Sequence, residues 1–119
     1  MGNQKNIIRD KSFRFALKIV SLNQELVKNK KYVIARQLLK SGTSIGANIE
    51  EATAAQTKKD FIAKMAIASK EARETKYWLR LLKHSKLIKT DFDSYLKEIN
   101  DIVNILTAIV KTAQRNTKK

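Results

Sequence analysis

The chain has 119 residues, which suits one domain with a real hydrophobic core. It contains no proline and no cysteine, so long helices are permitted, whereas disulfides, thiolate metal sites and a cysteine nucleophile are excluded. Its formal net charge is +14, and no apolar run reaches the roughly 20 residues that a membrane span needs. We therefore expect a basic cytoplasmic protein without a membrane partner.

The first predicted helix, residues 10–28, is apolar on two nearly opposite sides. One stripe consists of Phe13, Leu17, Val20 and Val27. The other consists of Phe15, Ile19, Leu22 and Leu26. A four-helix bundle covers only one side of such a helix, and burying an apolar side chain contributes roughly 1.5–3 kcal/mol. We predict that the second stripe, from Phe15 to Leu26, forms contacts between subunits of a homo-oligomer.

The second predicted helix covers residues 32–55. Its core face consists of Ile34, Leu38, Ser41, Ile45, Ile49 and Ala52. Gly42 and Gly46 lie one turn apart, so another helix could approach closely there. We interpret Ser41, Ser44 and Asn48 as a polar contact between helices, since a buried amide must be hydrogen-bonded.

Two capping patterns predict the remaining helices. Thr57 and Asp60 resemble a capping box that opens a helix over residues 58–85, and Thr90 and Asp93 repeat the pattern before a helix over residues 91–112. A frayed basic tail follows. Short connections make successive helices antiparallel neighbours. The prediction is an all-α, up-down-up-down antiparallel four-helix bundle that forms a single domain over residues 1–119.

The residues give no support for catalysis. His84 is the single histidine, and Leu81 stands where a Glu-x-x-His metal motif would need glutamate. We predict no metal, no cofactor and no enzymatic activity.

One side of the third helix is a candidate nucleic-acid interface. Its members are Lys59, Lys70, Arg73, Tyr77 and Arg80. Cations with an interleaved aromatic ring suit a phosphate backbone and a stacked base. Arg14 and Lys18 of the first helix are expected to help. An ordinary solvated face would show the same pattern, and that alternative stays open.

Charge is distributed unevenly along the chain. Residues 1–40 carry +8 and residues 57–89 carry +7, whereas the rest is close to neutral. If the first and third helices lie diagonally in the bundle, the basic residues occupy two sides instead of one groove.

A second side of the third helix combines apolar and acidic residues. Ile67, Trp78 and Leu81 flank Glu71 and Glu74. This pattern favours a helix or subunit contact centred on Trp78, in which Arg36 or Lys40 meets the two carboxylates. The alternative is pairing within the helix at i,i+3 and i,i+4 spacing.

The segment Ser41–Ala52, with Lys58–Phe61 and Lys70–Leu79, resembles the bacterial four-helix bundle family of proteins encoded in intervening sequences of 23S rRNA genes. The matching positions are Ser41, Ser44, Ile45, Asn48, Ile49, Glu51, Phe61 and Glu74. The resemblance implies assembly into a ring-like homo-oligomer, often a pentamer. The fold is also similar to that of the accessory protein of diversity-generating retroelements, which binds a reverse transcriptase and nucleic acid.

Two functional hypotheses follow. In the first, the protein is a non-catalytic oligomer that binds RNA or DNA through the third helix. In the second, it is a scaffold for another protein, and its charge serves solubility.

Overall fold

The computed structural model describes residues 2–117, with the side chains of residues 5–116, and all of its regular structure is helical. The helices are α1 (Gly2–Lys28), α2 (Tyr32–Thr53), α3 (Lys58–Ser85) and α4 (Asp93–Thr117). No strand occurs within residues 2–117. The four helices form a rod of 51 × 21 × 21 Å.

The outer helices are longer than the sequence predicted. α1 begins at Gly2, not near residue 10, and α4 continues to Thr117, not ending near residue 112. The segment predicted to fray is helical as far as Thr117, and residues 118–119 lie outside the described residues.

The two predicted caps differ in outcome. The backbone N–H of Asp60 donates to the Thr57 hydroxyl at 3.1 Å, so the cap of α3 is confirmed. The cap of α4 is wrong in detail: the carboxylate of Asp91, not the Thr90 hydroxyl, accepts from the backbone N–H of Asp93 at 3.0 Å. α4 consequently starts at Asp93, directly after the buried Phe92.

Each helix packs against two others. α2 contacts α1 and α3, while α4 contacts α3 and α1. Within the described part of the chain, the backbones of α1 and α3 do not approach each other closely, so the two helices are diagonal. Arg9 near the start of α1 pairs with Glu50 near the end of α2, and Thr75 of α3 donates to Ser41 of α2 at 2.9 Å.

The structure reverses the two faces predicted for α1. The stripe assigned to subunit contacts lies in the core of the subunit. Its members are Phe15, Ile19, Leu22 and Leu26, each at most 2% exposed. The opposite stripe faces outward, with Phe13 at 64% and Leu17 at 58% exposure. The interface assignment of the buried stripe is therefore wrong, although α1 does have one apolar face that its own bundle leaves uncovered.

Gly42 allows the close approach of α1 and α2. A Cβ atom at this position would lie 2.8 Å from Cγ2 of Ile19, a distance that real Cβ atoms do not tolerate. A Cβ atom at Gly46 would lie 3.5 Å from the Ser12 hydroxyl, in ordinary contact. The predicted close approach is confirmed, and Gly42 is the position that requires it.

Trp78 occupies a different environment from the one expected of an interface residue. It is half-buried against the core, and its ring lies beside the start of α2. Neither Glu71 nor Glu74 forms an ion pair within the part of the chain that the structure describes. The expected pairing with Arg36 or Lys40 is absent from these contacts.

Candidate nucleic-acid interface

The predicted cations of α3 lie together on one exposed face. A helix turns about 100° per residue, which places these positions within one quadrant on the side of α3 that borders α4. We call this the α3 basic face: Lys59, Lys70, Arg73, Tyr77 and Arg80, all exposed. Between Lys70 and Arg80 the helix rises about 15 Å, so these groups can follow several consecutive phosphates.

The positive charge of the α3 basic face is not neutralised locally. Among the described residues, none of its four bases forms an ion pair. The Arg73 guanidinium donates to the Thr107 hydroxyl of α4 at 3.4 Å, a contact with a neutral group. The face therefore has four bases that are free of ion pairs and can attract a polyanion.

Tyr77 adds an exposed ring to this face. The residue is 55% exposed, and its ring meets that of Trp78 edge-on, with centroids 5.2 Å apart and an interplanar angle of 70°. The ring is thus supported on one side and open to stacking on the other.

The two cations of α1 that were expected to assist this face have acidic partners instead. Arg14 pairs with Asp10 at 3.1 Å, and Lys18 pairs with Glu98 at 2.9 Å. Lys18 also lies 4.5 Å from the centroid of the Tyr95 ring, whose pKa is raised by burial.

Arg9 follows the same pattern. Its Nε donates to both carboxylate oxygens of Glu50, at 2.6 and 3.0 Å, and this hydrogen bonding holds the pKa of Glu50 below its ordinary value. Because α1 and α3 are diagonal, Arg14 and Lys18 do not join the α3 basic face, contrary to the predicted grouping.

The described residues show neither of two other kinds of site. No group of three histidine, cysteine, aspartate or glutamate side chains is placed to hold a metal ion. No helix within that range is long and apolar enough to span a membrane.

Comparison with known proteins identifies the family of this chain. The family profile described as "23S rRNA-intervening sequence protein" matches residues 4–108. The chain belongs to this family. A solved structure is similar over 91% of this chain and 98% of its own, with 45% identity and a TM-score of 0.85. It is described as a protein with unknown function from the S23 ribosomal protein family of Bacteroides thetaiotaomicron. No curated protein matches the sequence.

The residues that carried the family resemblance are mainly structural. Ile45 and Ile49 are core residues with no exposed surface, and Phe61 packs on the core beneath the Lys5 ammonium, 4.7 Å from the ring centroid. Glu51 and Glu74 point to solvent.

The predicted polar contact between helices is right for one of its three members. The buried Ser41 accepts from Thr75 of α3. The Ser44 hydroxyl and the Asn48 amide instead donate to backbone carbonyls of α2 itself, at 2.6 and 2.8 Å. Sequence reasoning missed Thr75, although it lies on the core face of α3 between the buried Ala72, three residues before it, and the buried Leu79, four residues after it.

Proposed function

We propose that this protein is a non-catalytic RNA-binding bundle of the cytoplasm, in which the α3 basic face contacts phosphate groups. The observation that carries the proposal is the contrast between the α3 basic face and three cations of α1. The cations Arg9, Arg14 and Lys18 of α1 are paired with carboxylates, whereas those of the α3 basic face have no acidic partner among the described residues. Leaving like charges unpaired on one face disfavours folding mildly and favours polyanion binding.

The names found by comparison contain a reference to RNA, but neither states that the protein binds it. The family's name refers to 23S rRNA, and the solved relative is assigned to a ribosomal protein family. Both are properties of those proteins, and they direct the choice of the first ligand to test.

We further propose that the subunits are up-down-up-down antiparallel bundles that assemble into a ring-like homo-oligomer, a pentamer by resemblance. The outward apolar stripe of α1 supports this. Its members are Phe13, Leu17, Val20 and Val27, all at least 42% exposed. Several α3 basic faces in one assembly would convert weak contacts into avidity.

The first test is binding of nuclease-treated protein to a structured RNA at two salt concentrations. With four cations on phosphates, a slope of about −0.7 per contact predicts that affinity falls roughly 50-fold between about 50 and 200 mM salt. A steep loss of this kind supports the proposal. Absence of binding at the lower concentration contradicts it.

Matched variants locate the face. The pair Lys70→Gln and Arg73→Gln removes two charges from α3, and the pair Arg14→Gln and Lys18→Gln removes two from α1. The α3 pair should reduce the salt slope by about 1.4, whereas the α1 pair should leave it unchanged. Equal losses would show that only net charge matters and would contradict the assignment to α3.

A protein partner is the second candidate function, favoured by the exposed side chains of Ile67 and Leu81 on the same side of α3 as Trp78. It predicts negligible RNA affinity at physiological salt and a partner recovered by pull-down after nuclease treatment. Substituting Leu81 by lysine should then abolish recovery of that partner.

A further inference from the structure

At one end of the bundle, the turn after α1 and the turn after α3 meet the first turn of α2 around a shallow groove. We call it the turn groove; its principal lining residues are Lys30, Lys31, Tyr32, Gln37, Trp78 and Leu87. Its volume is about 340 Å³, within the range of small-ligand sites. We propose that the turn groove binds one unpaired nucleotide of an RNA strand, with the base against Tyr32 and Trp78 and the phosphate at Lys30 and Lys31. This inference rests on the proposed function, because it places a specific element of the bound RNA.

The phosphate end is electropositive for two independent reasons. α2 starts without a side-chain cap and without an acidic residue in its first turn, so its free N–H groups and its dipole favour an anion. Lys30 and Lys31 stand at the same end, and neither forms an ion pair within the described part of the chain. Charge complementarity therefore selects an anionic occupant.

Lys30 is held in a backbone conformation that lysine disfavours. Its φ is 61°, and the N–H groups of Lys30 and Lys31 donate to the carbonyls of Val27 and Leu26, at 2.9 and 2.8 Å. This is the hydrogen-bond pattern of a helix end that normally has glycine at the left-handed position.

The base end is aromatic and apolar. Tyr32 is 53% exposed, Leu87 is also exposed, and Trp78 forms the wall contributed by α3. The indole N–H of Trp78 is buried and lacks an acceptor among the described residues, so the ring offers the groove an apolar surface. Aromatic walls of this kind stack on unpaired bases.

The occupant should be unpaired because the faces of a base are covered in a duplex, and single-stranded loops, bulges and ends expose them. The turn groove is also joined to the α3 basic face, since the ring of Tyr77 contacts that of Trp78. A strand lying along α3 can thus deliver a splayed nucleotide to the groove.

Trp78 is the chain's single tryptophan and reports on the groove directly. We would titrate the full protein with a uniform single-stranded RNA, a blunt RNA duplex of equal length and a free mononucleotide. Tryptophan emission would be recorded alongside the anisotropy of the labelled RNAs. The single strand should quench the emission and bind about tenfold more tightly than the duplex, in line with one base-stacking contact. The mononucleotide should bind far more weakly.

Two variants complete the test. Tyr32→Ala and Lys31→Gln should each remove most of the preference for the single strand and leave duplex affinity nearly unchanged, while Lys28→Gln on α1 serves as the charge-matched control. Equal affinity for both RNAs with unchanged tryptophan emission would overturn the inference and leave the α3 basic face intact. Mononucleotide binding as tight as strand binding would also overturn it, because the groove would then be a small-ligand site.

Discussion

Replacing Leu17 with glutamate tests which face of α1 holds subunits together. Burying the 58% of Leu17 that the subunit leaves exposed contributes about 1–2 kcal/mol per copy, taken from roughly 1.5–3 kcal/mol for a complete leucine. A carboxylate in an apolar interface adds a desolvation cost of several kcal/mol. We expect Leu17→Glu to weaken assembly at least tenfold and to leave the subunit folded.

Leu22→Glu makes the contrasting prediction. Leu22 is 2% exposed, so the change removes core packing worth about 2–5 kcal/mol and buries a charge as well. Together these losses are comparable with the whole stability of a small domain, about 5–15 kcal/mol. We expect this variant to unfold.

Light scattering after gel filtration gives the mass of each variant, and circular dichroism at 222 nm during heating gives its stability. Asn100→Glu adds the same charge to the exposed outer side of α4 and should behave as wild type. A monomeric wild-type protein would refute the assembly, and a Leu17→Glu variant of unchanged mass would refute the assignment of the interface to this stripe.

Three further predictions concern stability and titration. Gly42→Ala should destabilise the fold by about 1–3 kcal/mol, because the new Cβ would overlap the facing side chain of α1. Gly46→Ala should be neutral or stabilising, because a Cβ fits there. Thermal denaturation followed by circular dichroism measures both. Lys30→Gly should stabilise the fold by about 1 kcal/mol, because glycine adopts the left-handed backbone conformation without strain. The same change should weaken the preference for single-stranded RNA. A loss of stability would show that the backbone at Lys30 is not strained. The lowered pKa of Glu50 means that its pairing stabilises the protein at neutral pH and that this contribution is lost as the pH falls through the folded-state pKa. Arg9→Gln should raise the pKa of Glu50 in an NMR titration, and an unchanged pKa would show that the pairing is absent in solution.

The α3 basic face could be predicted from sequence because it depends on helical periodicity alone. Once a helix spans residues 58–85, the relative directions of Lys70, Arg73 and Arg80 are fixed by its geometry. What periodicity cannot supply is the pairing of each cation with an acid from a distant segment. The contact between Lys18 and Glu98 depends on α1 packing beside α4.

Helical periodicity could not predict which face of α1 is buried, for a different physical reason. Both of its stripes are apolar enough to be a core face. Gly42 decides between them, because it leaves room on α2 for the branched side chain of Ile19. One signal was available: Ile8 and Ser12 extend the buried stripe by two further turns towards the N-terminus, whereas the exposed stripe begins at Phe13.

The turn groove could not be found from sequence, since its walls come from two turns and the start of a helix. Lys30 and Leu87 are far apart in the chain and meet only because the turns after α1 and α3 lie at the same end of the bundle.

The most direct test of RNA binding by the α3 basic face is lysine footprinting, in which acetylation of each lysine is compared by mass spectrometry with and without a structured RNA. The account predicts that RNA protects Lys59 and Lys70 several-fold, while the rates at Lys11 and Lys18 of α1 stay at their values in the free protein. Uniform protection of all four lysines, or protection confined to α1, would contradict it.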